Sequence, residues 1–265
     1  MQKLILQFSV IICLFFGLWF MIDKINWMKI FHVKQVTDKT EKKLGDMCWD
    51  LIKKDQEEIK NQKIEKTIDS ILTRICDSNK IDKSNIKIHL LKSDEINAFA
   101  LPDNHLVIYS SLITASNNEA QFSGVICHEV AHMEMSHVMK KLIKEVGLSA
   151  IISVTNSNGT GAVLKGVAKT LSSTAYDRTL EKEADIKAVD YLIKSNIDPT
   201  PFAQFLEGID SSSTKQDLQL TWFSTHPDSK ERGKYLRQYF KNKSFTYKPI
   251  LATGSWSNLK TEIAN

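Results

Sequence analysis

Apolar residues recur with a helical period over most of the chain and with a strand period in one short region. Residues 4–22 form an apolar run broken only by Gln7, Ser9 and Gly17. As a helix such a run spans about 28 Å, close to the thickness of a bilayer's hydrocarbon core. It exceeds a usual signal core, and Phe20-Met21-Ile22-Asp23 offers no small-residue cleavage site, so the pattern predicts an N-terminal transmembrane anchor over residues 1–23. Residues 37–62 then place Leu44, Met47, Cys48, Leu51, Ile52 and Ile59 on one helical stripe, and residues 65–78 do the same with Ile68, Ile71, Leu72 and Ile75. These two helices are expected to pack on the body of the domain as accessory elements (residues 37–80).

A strand signal follows in Ile86-Lys87-Ile88-His89-Leu90-Leu91. A hairpin comes next, out through Asn97-Ala98-Phe99-Ala100-Leu101, round Pro102-Asp103-Asn104 and back through Leu106-Val107-Ile108-Tyr109. Ser116-Asn117-Asn118-Glu119 is a helix cap, and the helix it opens is expected to run to about Leu142. The apolar segment of residues 146–154 is too brief to cross a membrane, and residues 155–161 read as a connector, with a lid as the alternative. Further helices are expected over residues 162–171 and 179–194, after Pro199 and Pro201, and after Pro227. Residues 246–265 carry no signal and are set aside as a C-terminal tail. The fold class is therefore α+β, mainly helical. One catalytic-sized domain occupies residues 24–245, with a small β-hairpin whose edge strand faces the central helix.

Composition narrows the function classes. Of 265 residues, 42% are hydrophobic and 25% charged, as in ordinary globular proteins. The formal net charge of +4 is mild and the lysines are interspersed with acids, so no nucleic-acid face is read. Four cysteines are too few for a disulfide scaffold, although Cys48 and Cys76, on successive helices, could pair in an oxidising compartment.

The chemistry lies in Gly124-Val125-Ile126-Cys127-His128-Glu129-Val130-Ala131-His132. On a helix, His128 and His132 project from one face about 40° apart. Two neutral imidazoles on adjacent turns make half of a tetrahedral zinc site, and Glu129 points into the same cleft, where it can hold a water polarised by the metal. This is the HExxH pattern of zinc proteases. The apolar residues between suit a buried helix, in which an uncompensated glutamate and two histidines would be costly without a metal. A third protein ligand is needed. His137, five residues beyond His132, lies about 140° around a continuous helix and is excluded, which leaves it as an outer-face or core-edge histidine bonding another helix. In Glu181-Lys182-Glu183-Ala184-Asp185, Glu181 and Asp185 share a helical face. Glu181 would complete the zinc sphere, and Asp185 would accept a hydrogen bond from a ligand imidazole.

His128-Glu129-x-x-His132 followed by Glu181-x-x-Ala184-Asp185 resembles the gluzincin family that contains the CAAX prenyl protease, HtpX and the Oma-type proteases. The resemblance extends over roughly residues 39–239. It implies that Asn97-Ala98-Phe99-Ala100 is the edge strand that pairs with a substrate backbone, a sequence-tolerant mode of peptide binding. It implies that Arg178 and Arg232 support the site. It also implies that His226, in His226-Pro227, donates to the oxyanion or closes over the site as a plug. The chain lacks the several transmembrane spans of the integral-membrane members, so a single-anchor, bacterial-type member is expected.

The expected function is a zinc-dependent metalloendopeptidase acting on misfolded or envelope polypeptides. It would use one Zn²⁺, with Glu129 as general base, and would sit at a membrane with its catalytic domain on the extracytoplasmic side. The rivals are a catalytically silent, membrane-tethered chaperone or adaptor on the same fold, and a scaffold protein that holds no zinc.

Overall fold

The computed structural model describes residues 12, 33–156, 161–208, 221–227 and 229–264. The predicted anchor over residues 1–23 therefore lies outside the described residues, apart from Ile12. Among the described residues, no helix is long and apolar enough to cross a membrane. The chain divides into two compact units, Met1–Thr40 and Glu41–Asn265, and the architecture below is that of the second.

Helix α1 (Val33–Asp55) and helix α2 (Gln62–Asn79) are the accessory pair. Asn61 caps α2 by accepting from the Lys63 and Ile64 N–H groups, and the expected stripe of Ile68, Ile71, Leu72 and Ile75 is buried. A 3₁₀ turn at Lys83–Asn85 leads into β1 (Lys87–Leu91), β2 (Ala98–Leu101) and β3 (His105–Tyr109). The strand order is β1-β3-β2, with β3 parallel to β1 and antiparallel to β2. The hairpin pairs Phe99 with Val107, and its turn holds Asp103 and Asn104 at φ 58° and 57°, a left-handed conformation that Asp and Asn adopt more readily than other side chains. Gly45 of α1 passes directly over that turn: a Cβ there would lie 2.2 Å from the Pro102 carbonyl oxygen. Edge strand β2 is buried along its whole length, with the central helix and a later helix, α7, packed on it.

After the short α3 (Ser110–Ala115), Asn118 caps the central helix α4 (Glu119–Glu134) by accepting from the Gln121 N–H. Almost every residue of α4 is buried, as expected for a helix enclosed on all sides. Its length differs from the sequence expectation. The chain turns at Ser136, held at φ 55°, and a separate helix α5 (His137–Glu145) begins. Helices α6 (Leu148–Asn156) and α7 (Gly161–Ser173) follow, and residues 157–160 of the expected connector lie outside the described residues.

Helix α8 (Arg178–Lys194) packs along α4, and α9 (Thr200–Gly208) crosses it at Gly124, where a Cβ would sit 2.3 Å from the Phe202 Cβ. Only glycine permits that approach. Then come α10 (Thr221–Thr225) and α11 (Ser229–Phe240), the helix expected after Pro227. A helix not expected from the sequence, α12 (Ser255–Ala264), packs on α2 and buries Leu259. Just before it, the Ile250 and Leu251 N–H groups donate to the Glu119 carboxylate. The result is the mainly helical α+β class with one small mixed sheet. Cys48 and Cys76 are buried free thiols, so the disulfide considered between them is not formed. Burial pushes the Cys48 thiol up to about 12 and that of Cys76 to about 11, which leaves both unreactive.

Candidate metal centre

Helices α4 and α8 bring the two distant motifs together. His128 and His132 face α8, and their Nε2 atoms are 3.0 Å apart. Glu181, in the first turn of α8, places Oε2 3.6 Å from the His128 Nε2 and Oε1 3.3 Å from the His132 Nε2. A fourth donor comes from the end of α10: the His226 Nδ1 is 2.8 Å from the Glu181 Oε1 and 3.2 Å from the His128 Nε2. All four residues are buried, and their ligand atoms lie within 4.8 Å of one another.

Three imidazoles and one carboxylate are a donor set suited to Zn²⁺. The electrostatics point the same way. Burial disfavours a charge on His128, yet the nearby Glu181 and Asp185 carboxylates outweigh it and raise its pKa to about 9. Burial holds His132 well below the usual imidazole range, and Glu181 stays ionised because His226, Arg232 and His128 offset the burial that would protonate it. The pocket favours a cation, and a metal meets that demand better than a proton on one ring.

The surrounding groups hold these donors in place. Asp185, one turn beyond Glu181, sets its Oδ1 3.0 Å from the His128 Nδ1. The Arg232 guanidinium donates to both Asp185 oxygens at 2.7 and 2.8 Å, and the Tyr235 hydroxyl bonds the same carboxylate. Arg232 also reaches the Glu181 Oε2 at 2.6 Å and donates to the His226 carbonyl at 3.0 Å. One buried cation thus joins α8 to α11 and neutralises two carboxylates. Burial works against ionising Asp185, but Arg232 and His128 hold its carboxyl well below the usual carboxylate range.

Glu129 is fully buried on the far side of the donors. The Trp222 indole N–H donates to its Oε1 at 3.1 Å, and the His226 Nε2 lies 3.4 Å from the same atom. Its Oε2 has no hydrogen-bond partner among the described residues. The Trp222 ring stacks on His226 with centroids 4.5 Å apart, and Tyr176 stacks on His132 at 4.0 Å. These aromatic walls exclude bulk water.

Of the residues singled out in the sequence, His128, His132, Glu181, Glu129, Asp185, His226 and Arg232 converge on one buried point. Arg178 does not. It is exposed, on the rim of a cavity of about 170 Å³ that it lines with Glu181, Lys182 and Tyr235. Asn97, Ala98, Phe99 and Ala100 form the buried edge strand and its approach, beside α4. Sequence reasoning missed Trp222, Tyr176 and Tyr235. Trp222 stands four residues before His226 and Tyr235 three after Arg232, helical spacings that would have pointed to them; Tyr176 carries no such signal. Of the two readings of His137, the outer face does not hold, since the ring is fully buried against His132; the bond to another helix does, through Glu183 on α8. A helix continuous past His132 would turn His137 away from it, but the chain breaks at Ser136 and brings the two rings together.

Comparison with known proteins agrees with the site. Metalloprotease LoiP of Escherichia coli K12 is 25% identical over 215 residues, covering 78% of this chain and 83% of that protein. The β-barrel assembly-enhancing protease of the same organism is 26% identical over 192 residues, 64% of this chain but 39% of the relative. The human mitochondrial metalloendopeptidase OMA1 is 26% identical over 188 residues, 64% of this chain and 36% of the relative. The chain thus spans most of the first and well under half of the other two. The model of peptidase family M48 matches residues 60–239, which is more than half of the chain and includes both motifs. With that match laid over a buried donor set fit for zinc, the chain belongs to peptidase family M48 and is a zinc metalloendopeptidase.

Proposed function

We propose that His128, His132 and Glu181 are the zinc ligands and that Glu129 is the general base of peptide hydrolysis. The observation that carries this reading is the approach of the Glu181 carboxylate to both Nε2 atoms. A bound Zn²⁺ would supply Lewis acidity, lowering the pKa of a water and polarising the scissile carbonyl. Glu129 takes a proton from that water and delivers it to the leaving amine. The Trp222 indole, bonded to the Glu129 Oε1, fixes the carboxylate so that its Oε2 is the oxygen available for proton transfer. Asp185, locked by Arg232, orients the His128 ring.

His226 acts as a plug. A catalytic site keeps one position open for water and substrate, whereas here a fourth protein donor closes the set. Turnover then requires His226 to leave, and from a withdrawn position it can donate to the oxyanion. A substrate strand would pair along β2, which is buried here, so α7 must also yield its place against that strand. The substrates we infer are misfolded or misassembled envelope polypeptides. The sequence-tolerant edge strand supports this, as does a relative whose name refers to β-barrel assembly. The apolar run of residues 4–22 supports a membrane anchor with the peptidase on the extracytoplasmic side.

The test is Glu129→Gln in the full chain. It should bind one zinc per chain, as expected of the unmodified protein, and lose at least about 100-fold in casein cleavage, the scale of a lost general base. Undiminished turnover refutes the assigned base. Wild-type cleavage that survives zinc chelation refutes the mechanism as a whole.

A further inference from the structure

His137 is five residues beyond the second histidine of the motif and is completely buried. Its Nδ1 lies 3.1 Å from the Nδ1 of His132, and its Nε2 lies 3.2 Å from the Glu183 Oε2 on α8. We propose that His137 is a positioning residue for the zinc site, which fixes the tautomer and ring angle of His132 and completes a His132–His137–Glu183 relay. The inference rests on the reading of His132 as a ligand.

The direction of the relay follows from the donor inventory of imidazole. The ring nitrogens of His128 and His132 that approach each other are the two Nε2 atoms, so a metal there uses the Nε2 lone pair of His132. Its Nδ1 then carries the proton. That N–H is buried, and a buried donor without an acceptor is costly. The atom in reach is the His137 Nδ1, which must therefore present its lone pair. A neutral His137 then has its own proton on Nε2, aimed at the Glu183 carboxylate. Only this assignment places a donor against an acceptor at both contacts while leaving the His132 Nε2 free to ligate.

The backbone is shaped to make this contact. On an uninterrupted helix His137 would point about 140° away from His132. The chain breaks at Ser136, a non-glycine residue held at φ 55° with no side-chain cap, and the Met135 and Ser136 N–H groups still bond the Ala131 and Met133 carbonyls. A left-handed residue other than glycine or asparagine is uncommon and is retained where the surroundings require it. Here the turn directs His137 inward beneath His132. The two ligand imidazoles thus have different outer partners. His128 meets a carboxylate clamped by a buried arginine, whereas His132 meets a second imidazole whose carboxylate, Glu183, is 46% exposed. An outer partner of this kind typically contributes 10- to 100-fold in metal affinity.

The test uses the full chain, zinc affinity by chelator competition, the absorption spectrum of the Co²⁺-substituted protein, and ¹⁵N spectra of the histidines. In the zinc-loaded wild type two imidazoles should show metal-bound Nε2 with a protonated, hydrogen-bonded Nδ1, and one of the two should lose that hydrogen bond in His137→Phe. His137→Phe should weaken zinc binding about 10- to 100-fold and shift the cobalt bands. His137→Asn, whose amide oxygen can replace the Nδ1 lone pair, should recover most of both. His137→Gln, which reaches Glu183 but offers nothing at the Nδ1 position, should resemble the phenylalanine variant and serves in its place if that one fails to fold. Glu183→Gln should change affinity less than about 3-fold, because its carboxylate is half in water. Folded Phe or Gln variants with wild-type affinity and cobalt spectrum would overturn the role of His137 while leaving the ligand set standing. A wild type that takes up no zinc would overturn the ligand set itself.

Discussion

Two clusters of histidine and carboxylate occur among the described residues, and they offer the same two kinds of donor, imidazole and carboxylate. One is the buried group of His128, His132, Glu181 and His226. The other, where α1 crosses the β1–β3 edge, holds Asp46, Asp103 and His105, whose ligand atoms also lie close enough for one ion. Their difference is the place of the nearest side-chain cation. In the second cluster the Lys87 ammonium stands among the donors, 2.5 Å from Asp103, 3.2 Å from Asp46 and 3.0 Å from the His105 Nε2. In the first, Arg232 grips Glu181 and Asp185 from behind, and the lone pairs of the donors face one another. Residue type alone does not make a metal site. A cluster that carries its own central cation has its charge balanced already, and one whose cation stands outside has its donors directed at a common point.

Replacing each cation separates the two most sharply. Arg232→Met removes the partner of two buried carboxylates, so we expect a loss of about 3–5 kcal/mol in denaturant unfolding. Lys87→Met, at a half-exposed site, should cost under about 1 kcal/mol. Equal losses would break the contrast. Next in size is Glu181→Gln, which should lower zinc affinity by more than about 100-fold, beyond the effect of losing an outer partner. Wild-type protein should hold one zinc, and a second equivalent lost on Asp103→Asn would show that Lys87 does not exclude the metal. Zinc affinity should also rise with pH. The ion must displace the proton that Glu181 and Asp185 hold on His128 up to about pH 9, so binding should tighten nearly tenfold per pH unit below that value and level off above it.

Much of the first cluster was legible in the sequence because its chemistry is written in helical spacing. His128 and His132 share a face, as do Glu181 and Asp185, and the Asn118 cap marks the start of the first helix. The stripe of α2 and the hairpin were equally plain, since burial on one face imposes a period. The break at Ser136 was not. Met135-Ser136-His137 contains no glycine or proline, so nothing local announces a left-handed residue, and the inward turn of His137 was hidden with it. Tyr176 was out of reach for another reason: its contacts arise where the approach to α8 meets α4, and sequence distance conceals such a meeting. Helix α12 is amphipathic enough to bury Leu259 but too short for its period to stand out. Lys87 at the heart of the second cluster read only as the polar member of an alternating strand.

One more expected effect concerns acid stability beside the second cluster. The His89 Nε2 lies 2.9 Å from the His105 Nδ1, its Nδ1 lies 3.5 Å from Glu58, and its ring stacks on Trp49 at 3.6 Å. Burial first, then the His105 and Lys87 charges, push His89 down to about 4, against the opposing pull of Glu58. An unfolded chain titrates its histidines near 6.5. Between these two values the unfolded state binds more protons than the folded one, so the contribution of His89 is complete above about pH 6.5 and is lost as the pH falls toward 4. Screening by the solvent that reaches this partly open site reduces the effect to about 1–2 kcal/mol. His89→Phe keeps the stack on Trp49 and removes the titration, so its unfolding free energy should fall less than that of the wild type between pH 7 and 4.5, measured by urea unfolding with zinc removed from both. Parallel pH profiles would mean that His89 already carries its proton in the folded state, with Lys87 too well balanced by Asp46 and Asp103 to repel it.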